Sequence, residues 1–281
     1  MKLILSRYLI FACISVGFAF AKRRILYWLL CTFIAIAHSS LYAEEPLVKL
    51  VIAYENKTQF PYYLGDSQHV LDEPGAAVDI VQLLPKRIPG IEIELVRYPW
   101  SRCLALLAAG QVDAIFNASY SESRAEYGVY PHTDDDKLDD TRRLTTISYS
   151  WYALKGNENQ TVEKVVAPQG YSINEQMRAR GYTLYEAAQS SSALRMLQAG
   201  HVNRAALQTV TGDYLLANDR TFDNIVRLDP PLVIKPYFLL FGRRFYEQHP
   251  NLTEAIWTEL AQLRETQLPE RIEHYLQSEG R

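Results

Sequence analysis

Cysteine is scarce in this chain of 281 residues, which contains only Cys13, Cys31 and Cys103. The first two lie in an apolar N-terminal segment, so a chain that loses this segment keeps one thiol. A single thiol can form no internal disulfide, and it cannot supply a cysteine metal site. We therefore expect neither a disulfide-stapled scaffold nor a cysteine metal site. We also predict no other bound metal and no cofactor.

Acidic residues are absent from the first 43 residues, which hold five basic residues and two apolar runs. The second run, 25–37, follows three consecutive basic residues and leads to the small residue Ala43. Charged, apolar and small-residue regions follow in this order in a secretory signal peptide. The pattern predicts export with cleavage after Ala43. Cleavage after Ala21 is the alternative, but it leaves three basic residues and an apolar run attached.

The first apolar run, 8–21, is explained either by a true start near residue 20 or by a membrane span. Its 14 residues are fewer than the roughly 20 that a spanning helix needs. Cleavage after Ala43 removes five basic residues and no acidic one, which changes the net charge from −3 to −8. An acidic protein is a poor partner for nucleic acid or an anionic membrane surface. We expect a soluble monomer, located in the periplasm if the cell is Gram-negative.

Strand-like and helix-like segments alternate along the rest of the chain, which predicts an α/β fold. Strands are predicted at 47–54, 91–98, 113–116, 143–156, 164–170, 182–187, 202–208 and 230–245, the last with prolines at its entry. Helices are predicted at 76–88, with an end or interruption near Pro85, at 101–110, 173–180 and 191–200, and at 251–276 in two parts.

One sequence pattern occurs twice. LALLAAGQV at 104–112 matches LRMLQAGHV at 194–202, and in both cases a helix ends at glycine before a strand. A repeated unit of this kind predicts two similar lobes rather than one continuous sheet. The acidic stretch 132–140 lacks the spacing of a calcium loop, so we interpret it as solvated.

Five segments carry a more specific signal in combination. They are AYENKTQFPYY at 53–63, VDIVQLL at 78–84, RYPWSRCLALLAAGQVDAIFNASYSESRAEYGVYP at 97–131, GYSINEQMRARG at 170–181 and PPLVIKPYFLLFGRRFYEQHPNL at 230–252. In these segments the chain resembles the extracellular solute-binding proteins of family 3, which deliver ligands to ABC importers. The resemblance covers 46–281.

The resemblance implies a bilobed fold of the periplasmic-binding-protein-like type II, with two α/β lobes joined by two crossing strands. The first lobe is then expected at 44–148 plus 237–281, and the second at 149–236. The ligand is expected in the cleft between them, because a ligand that touches both lobes favours the closed state.

Arg124 follows a polar turn that contains Asn117 and Ser119. The resemblance implies that Arg124 holds a ligand carboxylate with two parallel hydrogen bonds, which lysine cannot reproduce. It implies contacts from Asn117 and Ser119 to the same ligand. On the residues alone, Arg124 is instead interpreted as a surface residue paired with Glu122 or Glu126.

Residues at the start of a predicted helix in the second lobe are candidates for the other wall. With Gly170 allowing close approach, the backbone N–H groups of Gly170, Tyr171 and Ser172 are expected to form an anion cradle opposite Arg124. Ser172 as a simple helix cap is compatible with this interpretation. Further candidates, for which core packing is the alternative, are Tyr54, Phe60, Tyr62, Trp100 and Arg102.

Gln208 departs from the pattern of the family. Amino-acid binders commonly have an aspartate eight residues after the glycine that corresponds to Gly200, where it pairs with the ligand's α-ammonium. Gln208 occupies that position here, and a buried ammonium without a counter-charge is costly. A carboxylate, a modified amino acid, a short peptide or another polar metabolite therefore fits as well as a free amino acid.

Three functions are compatible with these observations. The first is a binding protein that delivers a small polar, carboxylate-bearing ligand to an ABC permease. The second is an enzyme on the same scaffold, similar to cyclohexadienyl dehydratases, but none of the six histidines lies in an expected ligand turn, so we predict no catalysis. The third is a receptor that presents its ligand to a membrane sensor.

Overall fold

The structure is a computed structural model, and it describes residues 47–278. The predicted signal peptide and its first apolar run lie outside the described residues. Within 47–278, no helix is long and apolar enough to cross a membrane.

Strands and helices alternate along the described chain, as predicted. The strands are β1 (Val48–Glu55), β2 (Ile91–Tyr98), β3 (Ala114–Ser119), β4 (Gly128–Val129), β5 (Thr145–Leu154), β6 (Lys164–Pro168), β7 (Thr183–Ala187), β8 (Arg204–Gln208) and β9 (Ile225–Gly242). The helices are α1 (Ala76–Arg87), α2 (Trp100–Ala108), α3 (Glu122–Ala125), α4 (Ile173–Ala179), α5 (Ser190–Gln198), α6 (Thr209–Asn218), α7 (Arg243–Gln248), α8 (Pro250–Thr266) and α9 (Leu268–Ser278).

The strands pair in the order β2-β1-β3-β9-β5-β8-β6-β7, and β4 also pairs with β9. Strand β1 is parallel to β2 and β3, and β6 is parallel to β7 and β8. We call the part built on β1–β4 the first lobe and the part built on β6–β8 the second lobe. The predicted bilobed α/β fold is confirmed. The expectation of two separate sheets is wrong, because β5 and β9 are antiparallel partners that connect both halves.

Strand β9 begins earlier than predicted. It starts at Ile225, and Pro230 and Pro231 lie inside it rather than at its entry. Proline has no N–H for a ladder and is tolerated at bulges. The pairing of β9 with β5 is irregular at this point, between Tyr149 and Trp151 of β5. The bulge therefore accommodates both prolines within one long strand.

Helix α1 continues past the predicted interruption at Pro85 and ends at Arg87. Proline removes one backbone hydrogen bond and crowds the preceding turn. Val81 and Leu84 are completely buried on the same helix. Burial of these two side chains stabilises the last turn by more than the loss of one hydrogen bond destabilises it. The helix is therefore not broken at Pro85.

Strand β3 also extends further than predicted. Asn117 and Ser119 belong to the strand rather than to a turn, and Asn117 has a φ of 59°. Asparagine tolerates this left-handed conformation better than most residues. The register with β9 shifts between Ile115 and Ala118. The bulge keeps Asn117 buried, and its Oδ1 accepts a hydrogen bond of 2.8 Å from Thr145 Oγ1.

Gly75 precedes α1 in a conformation reserved for glycine, with φ 111° and ψ 153°. A Cβ there would lie 2.4 Å from Tyr63 Cα and 2.6 Å from the Tyr62 carbonyl oxygen. We expect Gly75→Ala to reduce the free energy of unfolding by about 2–4 kcal/mol, from backbone strain and overlap together. Urea unfolding monitored by circular dichroism measures this loss.

Gly90→Ala is the matched control for the Gly75 variant. Gly90 has a φ of 83°, but nothing lies within 4 Å of the point that a Cβ would occupy there. The substitution should cost only the left-handed backbone penalty, about 1–2 kcal/mol. Equal losses for the two variants would show that contact with the 62–63 backbone is unimportant.

Candidate functional site

The carboxyl end of β3 meets the turn before α4 of the second lobe at a small buried cavity, which we call the inner chamber. Its volume is about 10 Å³, which is room for about one water molecule. Residues of both lobes border it, among them Asn117, Ser119 and Arg124 of the first and Ser172 and Gln208 of the second.

Arg124 is the central cation of this chamber, with only 5% of its surface exposed. Its Nη1 donates to the Ser119 carbonyl oxygen at 2.9 Å, and its Nη2 donates to the Gly170 carbonyl oxygen at 2.8 Å. The guanidinium lies 5.5 Å from the centre of the Trp100 ring, a cation–π distance. All these partners are uncharged, so the interpretation as a surface ion pair does not describe this arginine.

A second cation, Lys235 of β9, reaches the same chamber wall. Its Nζ donates to Ser172 Oγ at 3.1 Å. Burial, followed by the proximity of Arg124, lowers the pKa of Lys235 to about 8, while Glu175 acts in the opposite direction. Two cations that raise each other's electrostatic energy make this end of the cleft suited to an anion.

The turn before α4 presents a carbonyl group, rather than the expected N–H cradle, to Arg124. The Gly170 oxygen accepts from Arg124 and, at 3.2 Å, from Trp100 Nε1. The Gly170 N–H does not face Arg124 as a cradle, since it donates to Glu186 Oε2 at 3.2 Å. Ser172 makes no side-chain cap, and its Oγ lies 2.5 Å from Ser119 Oγ across the cleft.

Two buried amide groups on the wall of the inner chamber each have one atom without a hydrogen-bond partner. Among the described residues, Asn117 Nδ2 finds no acceptor and Gln59 Oε1 finds no donor. Unpaired buried polar atoms are rare in native proteins and need an explanation. A ligand with both an acceptor and a donor would satisfy this pair.

Gln208 borders the chamber where the family pattern has an aspartate. It is buried and shares the chamber wall with Tyr149 and Tyr237, whose hydroxyl oxygens lie 2.6 Å apart. This part of the wall is therefore polar but uncharged.

Tyr54 and Phe60 lie away from both the chamber and the solvent. The Tyr54 ring is fully buried and stacks on Phe116 at 4.9 Å, as part of the first lobe's core. Phe60 stacks on Tyr214 of the second lobe, also at 4.9 Å. Phe60 thus packs between the lobes beside the cleft.

Tyr62 and Arg102 are not brought to the inner chamber either. The Tyr62 hydroxyl donates a long hydrogen bond of 3.4 Å to the Thr146 carbonyl oxygen. Arg102 is exposed, with its guanidinium 5.1 Å from the centre of the Tyr98 ring. Of the five further candidates, Tyr54, Phe60, Tyr62, Trp100 and Arg102, only Trp100 borders the chamber.

Sequence reasoning gave no ligand contact to Glu55, which ends β1 inside the cleft. Only 4% of its surface is exposed, and its Oε2 accepts from Gln59 Nε2 at 2.6 Å, Tyr171 OH at 2.7 Å and Tyr63 OH at 3.1 Å. Burial raises the pKa of Glu55, although these three donors oppose the change. The sequence signal that could have identified Glu55 is its position as a carboxylate directly after the predicted buried strand 47–54.

Comparison with known proteins identifies the fold. No protein-family model and no curated protein sequence matches the chain. Among solved structures, a histidine kinase sensor domain with similarity to periplasmic binding proteins matches with a TM-score of 0.64 and 21% identity, over 80% of this chain and 94% of that one. The GluR0 ligand-binding core in complex with L-glutamate matches with a TM-score of 0.63 and 14% identity, over 82% and 98%.

An amino acid ABC transporter substrate-binding protein from Streptococcus pneumoniae, AbpA bound to L-arginine, is also similar. Its TM-score is 0.62 at 17% identity, over 82% of this chain and 94% of that one. The names of all three describe binding or sensor domains. At identities this low, the structural similarity establishes the fold and no more. The fold is the bilobed type II fold of periplasmic binding proteins.

The lowered pKa of Lys235 makes protein stability depend on pH in a defined window. The folded protein releases this proton near pH 8 and the unfolded chain near 10.5, so the unfolded state binds more protons between these values. Burial of the charged lysine lowers the free energy of unfolding by its full amount below about pH 8, and this loss disappears as the pH rises further. The Tm advantage of Lys235→Met over the parent should therefore shrink between pH 7 and pH 10.

Differential scanning fluorimetry across this range checks the Lys235 prediction. Lys86→Met removes an exposed lysine and serves as the control. A Tm difference for Lys235→Met that stays constant with pH would contradict the assigned pKa.

Proposed function

We propose that the chain is an exported solute-binding protein that captures a small carboxylate-bearing ligand, an amino acid or a related metabolite, between its lobes. The observation that carries this proposal is the buried Arg124 guanidinium, whose hydrogen bonds in the described chain all go to uncharged oxygen atoms. A buried charge without a counter-charge is costly. A ligand carboxylate supplies the missing charge.

Capture requires the lobes to separate and close again. An inner chamber of about 10 Å³ is too small for an amino acid, so a ligand enters after the contacts of Arg124 with Gly170 and of Ser119 with Ser172 have broken. Both contacts join the lobes. A carboxylate bound by the Arg124 fork then replaces neutral carbonyl contacts with stronger charge-assisted ones. This exchange favours the closed state with ligand.

Delivery to an ABC permease is the function we favour. It is supported by the similarity to amino acid ABC transporter substrate-binding proteins and by the signal-peptide pattern of the first 43 residues. Presentation of the ligand to a membrane sensor is the second candidate, because a histidine kinase sensor domain is among the similar structures. The two candidates share the same ligand site.

Export and transport are tested together in the source cell. We expect the protein in the periplasmic extract, with Glu44 as its first residue by mass spectrometry. Deletion of its gene should reduce uptake of the ligand that stabilises the purified protein. A mature chain that begins at Met1 would contradict the export proposal, and one that begins at Lys22 would contradict cleavage after Ala43. Unchanged uptake with loss of a ligand-dependent response would favour the sensor.

Arg124→Lys tests the ligand site. Screening by thermal shift against L-amino acids and organic acids should identify a carboxylate that raises the Tm of the parent. Titration calorimetry should then show roughly 10–100-fold weaker binding to Arg124→Lys, because a charge-assisted bidentate contact is worth about 1.5–3 kcal/mol.

Arg102→Lys is the matched control for Arg124→Lys. It makes the same chemical change at an exposed position of the first lobe, so ligand affinity should stay at the parent value. Equal affinity of the best ligand for the parent and both variants would refute the assignment of Arg124.

A further inference from the structure

We propose that the ligand site continues past the inner chamber into a second cavity, which receives a positively charged group at the far end of the ligand. This inference rests on the proposed function and specifies its ligand class. The second cavity, here called the outer chamber, has a volume of about 210 Å³. First-lobe residues on its wall include Glu55, Lys57 and Asp66, and second-lobe residues include Ser190 and Thr211.

The two chambers are separated by the side chain of Tyr171, which borders both of them. Its hydroxyl donates to Glu55 Oε2 at 2.7 Å, so the partition is fixed by a hydrogen bond between the lobes. Tyr171 moves away with the second lobe when the cleft opens. A ligand whose carboxylate is held by Arg124 then has a path beside Tyr171 into the outer chamber.

Glu55 gives the outer chamber its charge preference. The three hydrogen bonds to this carboxylate all end on Oε2, and all three donors are uncharged. Lys57 is near enough to act on Glu55 electrostatically, but no ion pair joins them among the described residues. A buried carboxylate with uncharged partners favours a cation from the ligand, just as buried Arg124 favours an anion.

The remaining charges of the outer chamber do not reverse this preference. Asp66 is a second carboxylate, and its Oδ1 accepts from the Thr58 N–H at 2.8 Å. Of the residues that the structure describes on the chamber wall, Lys57 is the single basic one, against the two carboxyl groups of Glu55 and Asp66. A ligand ammonium or guanidinium is therefore favoured over a second carboxylate.

Thr211 and Ser190 form the opposite side of the outer chamber. Both belong to the second lobe and are largely buried, with 5% and 9% of their surface exposed. Hydroxyl oxygens accept hydrogen bonds from ammonium and guanidinium groups. A far-end cation between Glu55 and Thr211 would contact both lobes and would stabilise the closed state from a second point.

The ligand class that follows is an elongated molecule with a carboxylate at one end and an ammonium or guanidinium at the other. The uncharged Gln208 fits this class, because the counter-charge for the cation lies at Glu55 instead. An α-amino group is then dispensable, whereas the far-end cation is not. L-arginine, its neutral isostere L-citrulline and desamino-arginine separate these two requirements.

Titration calorimetry of the purified parent protein with these three probes tests the inference. We expect L-arginine and desamino-arginine to bind, and L-citrulline to bind at least about tenfold more weakly. Glu55→Gln should remove the preference for L-arginine over L-citrulline, and Thr211→Val should reduce it. Glu92→Gln, which changes an exposed glutamate, should leave the preference unchanged.

Each alternative result has a distinct meaning. Equal affinity of the parent for L-arginine and L-citrulline, or a preference that survives in both Glu55→Gln and Thr211→Val, would overturn the outer-chamber inference. If other carboxylates bind with the expected dependence on Arg124, the proposed function stands without it. If no carboxylate in either panel binds the parent, both proposals fail.

Discussion

The antiparallel pairing of β5 with β9 is the constraint on which the rest of the structure depends. It runs from Thr145 opposite Tyr237 to Leu154 opposite Ile225, and it is the connection between the β1–β4 and β6–β8 halves of the sheet. Because both strands cross between the lobes, side chains such as Tyr149 and Tyr237 line the inner chamber. The same strands thus join the lobes and form the floor of the site.

The cleft between the lobes holds buried charges of both signs without pairing them. Arg124 borders the inner chamber and Glu55 the outer chamber. Lys235 donates to the Ser172 hydroxyl, and Glu55 accepts a hydrogen bond from the Tyr171 hydroxyl. Direct pairing of Arg124 with Glu55 would have neutralised both and left the cleft indifferent to charged ligands. Their separation costs stability, and in the proposed function a ligand with matching charges recovers this cost.

The fold was accessible from the sequence because its signals are local. Alternation, helical spacing and the repeat at 104–112 and 194–202 predicted most elements, but not β4, α3, α6 and α7. The errors at the prolines fell where tertiary contacts dominate. Pro85 stays in a helix because Val81 and Leu84 are buried beside it. The prolines of β9 stay in a strand because β9 itself bulges against β5 at this level.

The site was predictable only in part, for a related reason. Arg124, Ser119 and Gly170 belong to sequence motifs and do meet at the inner chamber. The contacts of Glu55 with Tyr171 and of Lys235 with Ser172 join residues more than 60 positions apart in the chain, and no local pattern predicts these two contacts. Tyr54, one residue before Glu55, points to the opposite face of β1 as strand geometry requires, and so it packs in the core.

Arg97 explains how the first lobe keeps its part of the cleft in place. Its buried guanidinium lies 4.9 Å from the centre of the Tyr54 ring and donates to the backbone oxygens of Glu55, Gly65 and His69, at 3.2, 2.6 and 3.1 Å. The loop between these residues carries Gln59, and its two ends are held to β2 by one side chain.

A loop fixed in this way has little conformational entropy left to lose when a ligand arrives. In the proposed function, the second lobe contributes through the short turn 169–172, which moves together with α4. Binding then costs mainly the closure itself, because the first-lobe side of the cleft is already fixed. On this proposal, ligand selectivity depends on how well one molecule satisfies charges that the first lobe holds in position.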